Sequence, residues 1–108
     1  MLYNFTGVNG DGALPFAGVT FDEVGNLFGT TAYGGIYNGA CQIGCGTVYE
    51  LSPTSSGSWR ERVLHRFTAG ADGSLPYSSV TLDSAGNVFG TASTSGAGNA
   101  GIAFEIKP

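Results

Sequence analysis

Residues 11–30 and 72–91 spell nearly the same segment. Asp11-Gly12-Ala13-Leu14-Pro15 through Asn26-Leu27-Phe28-Gly29-Thr30 returns 61 positions later as Asp72-Gly73-Ser74-Leu75-Pro76 through Asn87-Val88-Phe89-Gly90-Thr91, with 12 of 20 residues identical. Internal similarity at a fixed spacing is the mark of a repeat architecture. A fold built on it must supply equivalent surroundings twice, so a residue present in both copies is explained more simply by the scaffold than by a unique site.

The repeated unit is rich in short apolar alternations and turn residues. With 19 glycines among 108 residues and only 11% charged side chains, the chain has no long stretch of helical period. Short strands joined by tight turns, hence an all-β fold, are the natural reading. In the first unit, strands are expected at Pro15 to Phe21, Asn26 to Thr31, Gly46 to Leu51 and Trp59 to Phe67. In the second they are expected at Pro76 to Leu82, Asn87 to Ala92 and Gly101 to Ile106, with the fourth missing. Its equivalent is an orphan outer strand, Leu2 to Thr6, because Met1-Leu2-Tyr3-Asn4-Phe5 aligns with Val63-Leu64-His65-Arg66-Phe67. The organisation read from this is an orphan strand at 1–6, a first repeat at 14–67 and a second at 68–108. The pattern starts inside a repeat, which predicts an excerpt of a longer protein.

Each unit carries Asp-x-x-Gly-Asn between its first two strands. The Asp22 or Asp83 carboxylate can accept backbone N–H groups there, and Gly25 or Gly86 can take the positive φ that closes a hairpin. Pro15 and Pro76, lacking a ladder donor, suit the first residue of a strand or an edge strand. Gly29 and Gly90, inside strands, suit a close approach of another sheet. The units differ mainly between Gly35 and Gly46, where the first is six residues longer than the second is between Gly96 and Gly101. That insertion holds both cysteines.

Sheets that are apolar on both faces must be covered on both, as blades of a β-propeller cover one another. The expected fold is therefore propeller-type, with two four-stranded antiparallel blades as a partial propeller or a ring completed by oligomerisation. Further blades in the same polypeptide, or copies of the chain, are the expected partners, and Leu2 to Thr6 is available to complete a neighbour's last sheet or its own.

The run Leu-Pro-x-x-x-Val-Thr-x-Asp-x-x-Gly-Asn-x-Phe-Gly-Thr, followed by Tyr33-Gly34-Gly35 and Gly46-Thr47-Val48-Tyr49-Glu50-Leu51-Ser52-Pro53, resembles the GloVer tandem repeat. The Pro-x-x-x-Val-x-x-Asp-x-x-Gly-Asn core is also similar to NHL-type propeller blades. The second unit departs from the GloVer pattern, with Gly101-Ile102-Ala103-Phe104 in place of Gly-Thr-Val-Phe and Ser95-Gly96 in place of the paired glycines. The resemblance implies a secreted or surface-anchored bacterial propeller module with no assigned catalytic residues. An extracellular or cell-surface location is expected on that basis, although no secretion signal is present in the chain.

Charge narrows the partners. The net charge of −4 includes only four basic residues, and Arg60, Arg62 and Arg66 share one segment with Glu61. A nucleic-acid surface needs clustered positive charge, which this mixed stripe does not supply. No apolar run is long enough to span a bilayer.

Candidate chemistry is sparse. Cys41 and Cys45 lie too far in sequence from the single histidine, His65, to suggest a four-ligand zinc site. A local disulfide is expected, with free thiols as the alternative. His65 aligns with Tyr3, so that position wants a half-buried ring with a polar tip more than a general base. Asn9, Asp11 and Gly12 lack the acidic ends of a calcium loop, and Asp-Gly reads as a turn. Tyr33, Tyr37 and Trp59 are the candidate ligand-binding residues, because exposed aromatic faces stack on sugar rings. The expected function is a scaffold or protein-interaction module without catalysis, cofactor or metal; the alternative is a lectin-like oligomer with glycan sites between blades.

Overall fold

The computed structural model describes residues 1–108, which form nine strands and no helix. They are β1 (Gly12–Ala13), β2 (Thr20–Phe21), β3 (Leu27–Thr31), β4 (Tyr33–Gly34), β5 (Thr47–Pro53), β6 (Trp59–Arg66), β7 (Thr81–Leu82), β8 (Val88–Ala92) and β9 (Ile102–Ile106). The first main sheet is the antiparallel meander β2-β3-β5-β6, the second is the antiparallel meander β7-β8-β9, and β1 pairs with β4 in a small ribbon. These sheets do not close into a barrel or a propeller ring.

The two meanders share one register. Thr20 opposes Phe28 and Phe21 opposes Leu27 in the first, as Thr81 opposes Phe89 and Leu82 opposes Val88 in the second. The next pairing sets Gly29 against Tyr49 and Gly90 against Phe104. Their hairpin turns are built alike. Asp22 Oδ1 accepts the N–H groups of Val24 (3.0 Å) and Asn26 (2.9 Å), while its Oδ2 accepts the Asn26 amide (2.8 Å). Asp83 repeats this with Ala85 (3.0 Å), Asn87 N–H (2.9 Å) and the Asn87 amide (3.0 Å), and Gly25 and Gly86 hold φ of 94° and 84°.

One core cluster contains Phe28 and Val48 of the first sheet together with Val80, Val88 and Ala92 of the second unit, joined by Cys41, Cys45 and Phe67. The sheets therefore stack face to face, the Phe28 side of one on the Val88 side of the other. Hydroxyls of the first sheet reach across: Thr20 Oγ1 donates to Val80 O (2.6 Å) and Thr30 Oγ1 to Ser78 O (3.1 Å). A second cluster, Leu27, Tyr49 and Leu51, lies on the opposite side of the first sheet and is covered by Tyr3, Phe5 and Trp59.

Three expectations need correction. The opening strands are shorter than expected, with only Thr20–Phe21 and Thr81–Leu82 in a ladder. In the second unit the residues before β7 turn their carbonyls toward threonine hydroxyls of the neighbouring sheet, so they make stacking contacts and not strand pairs. Leu2 to Thr6 is not a strand and does not complete the second sheet. Its Thr6 N–H goes to the Asp11 carboxylate (2.9 Å), and its rings pack on the first sheet. Gly29 and Gly90 are required by a ring of the adjacent strand and not by another sheet. A Cβ at Gly29 would lie 2.6 Å from the Tyr49 hydroxyl oxygen, and one at Gly90 would lie 2.6 Å from Phe104 Cζ.

A bulge in β6 sorts its side chains. Tyr49 pairs with Val63 and Val48 with His65, leaving Leu64 as the extra residue. Cross-strand partners share a face, so His65 joins Val48 on the side of the second sheet while Glu61 and Val63 join Tyr49 and Leu51 on the other. The extra residue thus re-aims the end of the strand.

Candidate functional site

The sequence candidates do not converge. Tyr33 lies in β4, where its hydroxyl is 3.1 Å from that of Tyr77. The Tyr37 hydroxyl donates to Gly7 O at 2.5 Å and ties the insertion to the N-terminal segment. Trp59 opens β6 opposite Pro53 and packs on the Leu27, Tyr49 and Leu51 cluster. Cys41 and Cys45 do come together, within disulfide distance, with Cα atoms 5.2 Å apart. Both are buried between the sheets, and the Cys45 carbonyl accepts the Leu75 N–H (2.8 Å). The insertion therefore works as a wedge between the two units, which its loop-like composition does not reveal.

Tyr33 has other aromatic neighbours. Phe16 stands edge-on to it with centroids 6.5 Å apart, and the Phe16 and Tyr77 rings are 6.1 Å apart. Phe16 and Tyr77 are exposed and occupy the same place in the two units, directly after Leu-Pro. The hydrogen bond from Tyr33 raises the pKa of the Tyr77 hydroxyl. Phe16 and Tyr77 escaped the sequence reading, although an aromatic ring at both aligned positions was the available signal.

The polar clusters are organised by Asp11 and Asp72. Asp11 Oδ2 accepts the Tyr3 hydroxyl (2.9 Å), the Thr6 N–H (2.9 Å) and the Thr6 hydroxyl (3.0 Å). Asp72 repeats the arrangement with His65 Nε2 (2.9 Å), the Thr68 N–H (3.0 Å) and the Thr68 hydroxyl. Burial raises the pKa of both carboxyls, but these hydrogen bonds outweigh it and hold them below the usual carboxylate value. Asp-Gly is thus more than a turn dipeptide, since each aspartate clasps the segment before it.

Glu61 joins the Asp11 cluster from β6. Burial first, and then the hydrogen bond and charge of Asp11, push its pKa up to about 7. Its Oε2 is buried without a partner. Burial and the charge of Glu61 likewise raise the neighbouring Tyr49 hydroxyl. Below about pH 7 the pair is one carboxylic acid beside one carboxylate.

Three depressions mark the surface, one of them, of about 410 Å³, over Ser78, Thr81, Phe89 and Thr91 on the far face of the second sheet, and two near aspartates. A groove of about 510 Å³ runs between the hairpin turns, with Phe21, Val24 and Leu82 beside Asp22 and Asp83. Both aspartates already spend their oxygens on their own turns. A second cleft of about 290 Å³ lies along β9, lined by His65, Phe67, Asp72, Ile102, Phe104 and Ile106. No three His, Cys, Asp or Glu side chains converge as a metal site. No family model matches the chain, and no curated protein or solved structure matches it.

Proposed function

We propose that this chain is an extracellular, propeller-type repeat module that serves as a scaffold or protein-interaction unit and performs no catalysis. The observation that carries this reading is the stacking of two sheets of equal register through unlike faces, one construction used twice with its turns and aspartate clasps intact. The conspicuous carboxylates are consumed by that construction. Asp22, Asp83, Asp11 and Asp72 each accept hydrogen bonds from their own unit, which leaves them poorly placed to meet a substrate. The Cys41–Cys45 pair suits an oxidising compartment.

A lectin-like role is the second reading, favoured by Phe16, Tyr33 and Tyr77. The exposed rings of Phe16 and Tyr77, with the half-buried Tyr33 whose hydroxyl pairs with that of Tyr77, span the two units and offer a stacking surface with polar edges. A glycan array decides between the two. The scaffold reading expects no reproducible binding by the wild-type chain; binding that disappears in a Phe16→Ala, Tyr77→Ala double variant of unchanged stability replaces it with the lectin.

A further inference from the structure

The first sheet covers the second with a definite set of groups. Phe28 is 4% exposed, and the Thr20 and Thr30 hydroxyls reach the carbonyls of Val80 and Ser78. The far face of the second sheet presents the same set uncovered. There Phe89, the equivalent of Phe28, is 38% exposed, and Thr81 and Thr91, the equivalents of Thr20 and Thr30, are exposed too. The complementary half of the contact is also on the surface. Val19, the equivalent of the core residue Val80, is 47% exposed on the other side of the molecule, beside the exposed Phe21.

A second open feature lies at the edge of the same sheet. β5 is flanked by β6, but β9, its equivalent, has no strand on its outer side. The cleft along β9 holds His65 and Asp72, which in the first unit correspond to Tyr3 and Asp11. Residues 2–5 alternate between exposed and half-buried side chains as a strand does, with Leu2 and Asn4 outward and Tyr3 and Phe5 on the first sheet. Within the chain, β6 runs from the edge of the first sheet straight into the segment whose Phe67 packs on Phe104 of the second. Phe5 makes the matching edge-on contact with Tyr49 of the first sheet, with centroids 4.9 Å apart.

The geometry points to one partner that satisfies both features: a second copy of this chain, docked head-to-tail on the second sheet, its Val19 side covering Phe89 and its Leu2–Phe5 segment adding as the fourth strand along β9. This rests on the stacked-module reading above and names the partner of that module. The register follows from β5 and β6, where Val48 opposes His65. The copy's Tyr3 then opposes Ala103, and its Ala17 and Val19 carbonyls meet the Thr91 and Thr81 hydroxyls. The contact is heterologous, so each copy keeps one face of each kind, and a ring closes when the rotations sum to a full turn. Propeller-sized rings of about four to eight sheets correspond to about two to four copies.

Sedimentation equilibrium of the wild-type chain, Phe89→Lys, Val19→Lys and their equimolar mixture tests the proposal. Both positions are exposed in the single chain, and circular dichroism melting of each variant establishes that it folds. The expected result is a wild-type assembly of two or more chains, two monomeric variants, and a one-to-one heterodimer in the mixture, since each variant retains the face its partner lost. A monomeric wild-type chain, a variant that still assembles, or a mixture that stays monomeric overturns the docking. The two failures are distinguishable. Absence of assembly with a silent glycan array leaves the non-catalytic module in place, whereas glycan capture by an assembled chain overturns that role and leaves the docking.

Discussion

Phe28 and Phe89 occupy the same position of the same motif, yet one is 4% exposed and the other 38%. Their strands have the same length, the same turn and the same cross-strand partners. What differs is the layer beyond. Phe28 lies against the second sheet, while Phe89 has nothing of this chain in front of it. The comparison separates what a sequence specifies locally from what stacking adds. Alternation and turn chemistry make the sheet, and the neighbouring unit decides whether its second face becomes core.

The largest effect that can break this comparison is in the buried ring. Phe28→Ala removes a core side chain and is expected to cost about 3–5 kcal/mol, whereas Phe89→Ala in a dilute, monomeric sample should cost under about 1 kcal/mol. Urea denaturation of the two variants supplies both numbers; equal costs would mean that the sheets are not stacked as described. A smaller contrast comes from the hydroxyls. Thr20→Val deletes the bond to Val80 O and should destabilise by about 1 kcal/mol, against nearly no change for the exposed Thr81→Val. A loss at both sites would show that β-propensity, and not the contact between sheets, sets the value.

The smallest effect concerns the other side of the first sheet. Glu61 is held protonated in the fold, with its pKa raised from 4.5 to about 7, so the folded chain keeps a proton that the unfolded chain releases. Stability from this source is present at acid pH and is lost as the pH climbs from about 4.5 through about 7. Asp11 acts in the opposite sense, because its lowered pKa favours the fold above its ordinary value of 3.8 and ceases to do so as the pH falls. Partial solvent screening of Glu61 limits the change to about 0.5 kcal/mol. Melting temperatures at pH 5 and pH 8 should therefore fall slightly for the wild type and stay level for Glu61→Gln; a slope that survives the substitution would assign it to another group.

Much of the fold was legible because the chain states its pattern twice. The all-β class, the Asp-x-x-Gly-Asn turns and the hairpins that join β2 to β3 and β7 to β8 follow from local alternation and turn chemistry. The correspondence of Tyr3 with His65 was legible too, from alignment alone. Other features depended on distance in space. Leu2 to Thr6 has the residues of a strand, yet with no ladder beside it the segment satisfies its Thr6 N–H through Asp11. Cys45 looks like part of a surface loop until the second unit closes over it. Trp59 has the composition of a sugar platform, but its strand begins beside Leu51 and Leu27, so its ring serves as cover. Glu61 reads as one more exposed charge in an arginine-rich stripe. Only the bulge at Leu64 explains why it turns toward Asp11 while His65 turns the other way.

Two like sheets lie face to face, Phe28 side upon Val88 side. Nuclear Overhauser contacts between side chains test this stacking most directly, in a sample labelled to resolve phenylalanine rings and valine methyls. Cross-peaks are expected to link Phe28 and Val48 of the first sheet with Val80 and Val88 of the second unit. Finding cross-peaks only within each sheet, with none between these two sets, would contradict it.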